Sequence, residues 1–316
     1  MRTVRRIFIL LAGFLVTFLV LLTAVAAAYG AATADPVVTA PPLGPHQHDI
    51  RTGDVVTRYR AWGSHGRPVL LIPGFVETSF VWTRVGPSLG QRFRVVAPDL
   101  RGFGYSTHRP PYTLAADTAQ VAALIHRLHL HKPIVVGHST GAAIAARLAL
   151  THPRLLGGIV MLDGDGTASG GGPAWVHALI VDPYFNAVFQ LLTRHPSLLD
   201  GVWEKACGPR CPPFTGREME GWIRPLEVPG AETALHAIVQ APLLGMPAAR
   251  IRQIRVPTAV MVGTQDPTIT LARARQLGLW LHARLLITVP GAHHLPMVSA
   301  PHLFTRDLSR IVDGLD

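Results

Sequence analysis

Residues 133–146 read Pro133-Ile134-Val135-Val136-Gly137-His138-Ser139-Thr140-Gly141-Ala142-Ala143-Ile144-Ala145-Ala146. A β-branched apolar run reaches one serine fenced by glycines and continues into an alanine-rich run, which predicts a strand, a tight turn and a helix. The pattern Gly137-x-Ser139-x-Gly141 suits a strained elbow, in which small neighbours let the chain turn so sharply that the serine Oγ stands clear of the backbone. The same turn leaves the Thr140 N–H at a helix N-terminus, facing any negative charge that builds beside Ser139.

Working outward, Asp54–Trp62 alternates and predicts an edge strand, and Val69–Ile72 is a buried parallel-type run that stops at Pro73-Gly74-Phe75. Glu77–Leu89 predicts a helix with Trp82 on its apolar side, Phe93–Ala97 a strand, Leu114–Leu130 a helix and Lys132–Val136 the strand that carries the elbow. Further strands are expected at Gly158–Leu162, Val256–Val262 and Leu285–Val289. Strands alternating with helices predict an α/β chain with a mostly parallel, doubly wound sheet, whose chemistry sits at the strands' carboxyl ends.

Those ends carry Asp99-Leu100-Arg101-Gly102-Phe103-Gly104-Tyr105-Ser106, Gly263-Thr264-Gln265-Asp266 and Gly291-Ala292-His293-His294-Leu295-Pro296. With Pro73-Gly74-Phe75, Ser79, Trp82 and the elbow, they run in the order of the α/β-hydrolase superfamily. The chain resembles its branch of serine esterases, cofactor-free haloperoxidases and carbon–carbon bond hydrolases over about residues 50 to 316, apart from one central insertion. The resemblance implies Ser139 as nucleophile, His294 as base, Asp266 as the acid that steadies it, and an oxyanion hole made by the backbone N–H groups of Phe75 and Thr140. The family's usual His-Gly is Pro73-Gly74 here, which leaves a main-chain donor at Phe75 intact. His293 is the rival base, and Asp163, at the end of the preceding strand, is the reserve acid. Asp99 and Arg101 are read as a turn and ion pair supporting the site. His138, one residue before the serine, should aim to the opposite face of its strand and serve packing or support.

The resemblance implies carboxylic ester hydrolysis through an acyl-enzyme, with neither metal nor organic cofactor, and a loss of activity in acid as the histidine base takes up a proton. A serine at the elbow argues against epoxide and haloalkane hydrolysis, whose relatives use an aspartate there. Alternatives on the same triad are carbon–carbon hydrolysis, acyl transfer and perhydrolysis; a non-catalytic binding protein is the alternative from another class.

From Asp163 to about Gln253 the texture changes: Gly170-Gly171-Gly172, frequent prolines, and Trp175, Tyr184, Phe185, Phe189, Trp203, Phe214 and Trp222 fill it. This fits a mostly helical cap inserted after the sixth family strand, with Pro183 breaking one of its helices and the aromatics shaping an apolar pocket or packing the cap on the core. Cys207 and Cys211 are the only cysteines, and outside the cytoplasm a disulfide between them is expected, two free thiols being the alternative.

At the amino terminus three arginines precede an uncharged run, Ile7–Tyr29, whose length as helix is roughly 34 Å, enough for a bilayer core. An uncleaved anchor with the basic end cytoplasmic is one reading; a signal peptide cleaved after Ala32-Thr33-Ala34 is the other. Both export the domain. Residues 35–50 hold Pro36, Pro41, Pro42 and Pro45 and read as a tether, in which His46 and His48 are solvated linker histidines rather than metal ligands. The layout is therefore an anchor or signal over 1–34, the linker over 35–50, core over 51–166, cap over 167–253 and core over 254–316.

The 316 residues carry a formal net charge of +10, of which Arg2, Arg5 and Arg6 contribute three. The other basic residues, such as Arg250, Arg252, Arg255, Arg273 and Arg275, are scattered without interleaved aromatics, which argues for a solvated surface and against a nucleic-acid partner. His126, His129 and His131 cluster at a helix end, where imidazolium suits the dipole better than a metal does. The expected partners are a small apolar ester and, through residues 7–29, a membrane; oligomeric state is not encoded in these motifs.

Overall fold

The computed structural model describes residues 2–33, 39–167, 180–240 and 245–315. Eight strands form one sheet in the order β1-β2-β4-β3-β5-β6-β7-β8: β1 (Gln47–Thr52), β2 (Val55–Trp62), β3 (Pro68–Ile72), β4 (Arg94–Pro98), β5 (Ile134–His138), β6 (Gly158–Leu162), β7 (Thr258–Gly263) and β8 (Leu285–Val289). The first two pairings, β1 with β2 and β2 with β4, are antiparallel, and all the others are parallel.

Alternate residues of the central strands feed opposite faces of the sheet, as the two-residue period requires. Val69 and Leu71 join Trp82, Phe304 and Leu308 on one face, while Leu70 and Ile72 join Leu124, Ile144 and Leu148 on the other. These side chains are fully buried or nearly so, and truncating any of the large ones to alanine should cost about 2–5 kcal/mol.

Helices α1 (Arg2–Thr33), α2 (Gly86–Leu89), α3 (Leu114–Arg127) and α4 (Gly141–Thr151) come before the cap. The stretch expected as cap holds α5 (Tyr184–Arg194), α6 (Asp200–Cys207), α7 (Gly216–Ile223), α8 (Ala231–Gln240) and α9 (Ala248–Ile251), and α10 (Leu271–Trp280), α11 (Pro296–Ser299) and α12 (Pro301–Gly314) follow it. Trp203, Phe214 and Ile223 tie the cap into the core cluster that contains Trp82. Phe189 is buried, and Trp222 stands edge-on to Trp203 with ring centroids 5.6 Å apart. The triglycine 170–172 and Trp175 lie outside the described residues, as do Ala34 and Asp35 of the expected cleavage site.

Four expectations need correction. The edge strand is β1, which begins inside the stretch read as linker, so Asp54–Trp62 becomes the second strand: Gln47 pairs with Arg60 and Thr52 with Val55. Only Ile50 is a large apolar residue in β1, so no alternation betrays it; the hairpin turn Gly53-Asp54, with Gly53 at φ +70, was the readable signal. His48 therefore lies in a strand, stacked on Tyr59. Glu77–Leu89 is not one helix but a 3-10 turn, Ser79–Trp82, followed by α2, because Pro87 has no N–H to carry the preceding turn onward and suits the first turn of a new helix, while Thr78 caps the 3-10 turn. Pro183 precedes α5 as its N-cap and starts that helix rather than breaking one.

Candidate active site

Ser139 stands at the end of β5 with φ +51, the left-handed conformation that an elbow demands. Its flanks explain the glycines. A Cβ on Gly137 would lie 2.3 Å from the Gly141 carbonyl oxygen, and one on Gly141 would lie 2.6 Å from that of Pro73. Strands β3 and β5 are parallel neighbours, with Ile72 opposite Gly137, so the turn after β3 and the elbow after β5 emerge side by side. The sheet switches direction there, which is where open α/β sheets open a crevice. The N–H groups of Phe75 and Thr140 make no hydrogen bond among the described residues, and both residues line a cavity of about 250 Å³ with Ser139, Asp165 and Ile269.

The next strand ends supply the acids and the imidazole. His294 donates its Nδ1–H to Asp266 Oδ2 at 2.9 Å. Asp266 Oδ1 accepts the N–H groups of Thr268 at 2.6 Å and Ile269 at 3.1 Å. Burial works against the charge of Asp266, but the hydrogen bond and charge of His294 outweigh it and hold the carboxyl below its ordinary range. Asp163, at the end of β6, behaves oppositely: burial and the charge of Asp266 push it well above the ordinary carboxylate value. It accepts the Gly263 N–H at 2.8 Å on Oδ1, and its other oxygen is buried against Asp266, the place for a shared proton. The histidine thus meets Asp266, and the two neighbouring acids are shifted in opposite directions, Asp266 down and Asp163 up. His293 is turned away, its Nδ1 donating to the Lys205 carbonyl of the cap at 3.1 Å.

His138 points to the face away from the elbow and is fully buried. Its Nδ1 meets Glu77 Oε2 at 2.8 Å and its Nε2 meets the His294 carbonyl at 2.7 Å. Both partners accept, so both ring nitrogens carry hydrogen. Burial opposes that charge, and the Glu77 carboxylate outweighs it and raises the pKa. Glu77 also accepts the Gly74 N–H at 2.6 Å, so one carboxylate pins the turn beside Phe75 and, through His138, the backbone of His294. The ring of His138 lies 4.8 Å from that of His294.

Sequence reasoning missed Glu77, because the segment was read as helix; an acid three residues beyond Pro73-Gly74 was the available signal. It also missed Arg273, grouped with solvated basic residues, whose Nε donates to Asp165 Oδ2 at 2.6 Å at the cavity wall. Asp99 and Arg101 both support loops but do not pair. Asp99 accepts the N–H groups of Ser79 and Tyr105, whereas Arg101 pairs with Asp54 at 2.5 Å. His126, His129 and His131 line a separate cavity with Lys132 and Arg154, and among the described residues no three such side chains are placed to hold one metal ion.

The model of the alpha/beta hydrolase family matches residues 69–307. This chain belongs to that family. An uncharacterized protein of Mycobacterium tuberculosis is 27% identical over 271 residues, which covers 81% of this hydrolase and 77% of that protein. Among solved structures, a thermophilic esterase from Thermogutta terrifontis superposes with a TM-score of 0.70 at 21% identity, covering 85% of this chain and 98% of its own. A bacterial membrane phospholipase A superposes with a TM-score of 0.69 at 20% identity, covering 98% and 96%. These likenesses are of fold, and the last extends over nearly the whole chain of this family member.

Helix α1 contains a stretch, Gly13–Thr33, with mean hydropathy 2.2, long and apolar enough to cross a membrane. Cys207 and Cys211 are joined as a disulfide, their Cα atoms 5.7 Å apart.

Proposed function

We propose that this hydrolase is a membrane-tethered serine esterase, held by residues 7–29 with its catalytic domain outside the cytoplasm, that cleaves apolar carboxylic esters through an acyl-enzyme. The observation that carries the reading is the 2.9 Å bond from His294 to a buried, charge-holding Asp266, on the strand ends beside an elbow serine. Ser139 attacks the acyl carbon, His294 takes its proton, Asp266 fixes the imidazole tautomer, and the N–H groups of Phe75 and Thr140 receive the oxyanion. Water, activated by the same imidazole, then clears the acyl group. Asp163, anchored by the Gly263 N–H and raised by burial and the Asp266 charge, sits behind that carboxylate instead of replacing it. The disulfide fits an oxidising compartment.

A lipid-derived ester is the favoured substrate, supported by the apolar helix α1 and by likeness to a membrane phospholipase along 98% of the chain. The test is a panel of p-nitrophenyl esters of increasing chain length. Turnover should rise from acetyl toward longer acyl groups in the wild type and fall about 10⁴-fold in Asp266→Asn. Equal turnover in that variant rejects the assigned acid.

A further inference from the structure

Helix α5 of the cap runs along the last third of α1. Tyr184 Oη meets Thr23 Oγ1 at 2.5 Å, Asn186 lies against Gly30, and Arg194 donates to the Thr33 carbonyl at 2.8 Å. Its inner face is held elsewhere: Phe185 stacks on His236 at 4.4 Å, and Gln190 donates to Glu232 at 2.8 Å, both on α8. The stripe that continues from Tyr184, beside α1, is only partly covered by the described residues. Val188 and Leu191, which follow Tyr184 at helical spacing, are 54% and 39% exposed. Val181, Leu198 and Val202, in the segments flanking α5, are 39%, 56% and 64% exposed. Every large apolar side chain left exposed in the described cap lies between 181 and 202, whereas the rest of the cap buries its own. Concentration of this kind marks an interaction surface.

Position along α1 names the occupant. Counting from Ile7, the first apolar residue after Arg6, Thr23 lies about 24 Å along the helix, inside a hydrocarbon core of about 30 Å. Whatever touches Thr23 is then at acyl-chain depth, and Arg194, beside Thr33, is at headgroup depth, where a basic end is favoured.

Resting on the anchored reading above, we infer that α5 and the 198–202 segment lie in the leaflet on the catalytic domain's side, so that the cap is seated on lipid beside its own anchor. The bilayer, continuous with the surface of α1, covers the exposed stripe. The cap thereby meets esters in the lipid phase.

Both native cysteines are in the disulfide, so an introduced cysteine is the only free thiol. Val188→Cys, Leu191→Cys and, as control on the amino edge of the sheet, Ser64→Cys are labelled with a polarity-sensitive fluorophore in the full chain, reconstituted in phosphatidylcholine vesicles. Retained hydrolysis of a soluble ester, within about twofold, certifies folding. Emission at 188 and 191 should be quenched several-fold by nitroxides on the upper acyl carbon atoms and not by aqueous iodide, with the reverse at 64. Iodide quenching at 188 and 191, in protein that resists an alkaline carbonate wash, overturns the seated cap and leaves the anchor standing. Protein stripped by the wash overturns the anchor and this inference together.

Discussion

Glu77 and His138 form a buried ion pair directly behind the serine, and breaking one half of such a pair is costly because the other half is left charged in a poor dielectric. Glu77→Ala should therefore lose about 3–5 kcal/mol at pH 6, read by urea unfolding. The folded-state pKa of His138 is raised above its ordinary 6.5, so the pair's contribution is complete below that pH and is lost as pH rises through the folded value. The gap between wild type and variant should narrow above it; a gap unchanged from pH 6 to pH 9 contradicts a charged His138. Asp163 gives the opposite sign for an acid. Its folded pKa lies above 3.8, so between 3.8 and that value the folded chain keeps a proton that the unfolded chain has released, and stability falls as pH rises. Asn needs no such proton, so Asp163→Asn should gain on the wild type as pH rises from 4 toward the folded value. A constant difference across that range means that Asp163 is ionised. Ser139, Asp266 and His294 were legible because each follows a strand pattern at a glycine-marked turn. The bond between Glu77 and His138 spans 61 positions and leaves no local mark.

Parallel strands were readable as buried β-branched runs, and β6 and β8 fall where the runs begin and end. The elements that escaped are those whose form is set by partners: β1, a polar strand held by β2, and the broken segment after Glu77. The cap's helices show in composition, yet their attachment to the site does not. The carboxyl end of α6 and the turn after it hold the His loop directly, since the His294 N–H donates to the Ala206 carbonyl at 2.9 Å and Arg210 donates to the Pro290 carbonyl at 3.0 Å. Residues 206 and 210 flank or lie within the loop closed by the disulfide. Opening it in Cys207→Ser/Cys211→Ser frees the segment that fixes the imidazole, and small displacements at a reacting centre cost one or two orders of magnitude. The expected result is a fall in kcat of at least about tenfold with KM changed less; unaltered kcat removes the cap from the machinery.

Across the whole molecule, residues far apart in the chain reach one edge of one sheet because parallel strands all present the same end there. Phe75 follows β3, Ser139 β5, Asp163 β6, Asp266 β7 and His294 β8. That convergence was foreseeable from alternating strands and helices, whereas the packing of α1 on the cap was not, because it joins two stretches with no shared pattern. The central claim is that this edge activates one hydroxyl among all those in the chain. Fluorophosphonate labelling of the intact protein, followed by peptide mapping, measures it most directly. The account predicts a single modified residue, Ser139, with labelling abolished in Ser139→Ala and slowed by several orders of magnitude in His294→Ala. Labelling that persists in Ser139→Ala, or a folded wild type that reacts nowhere, contradicts it.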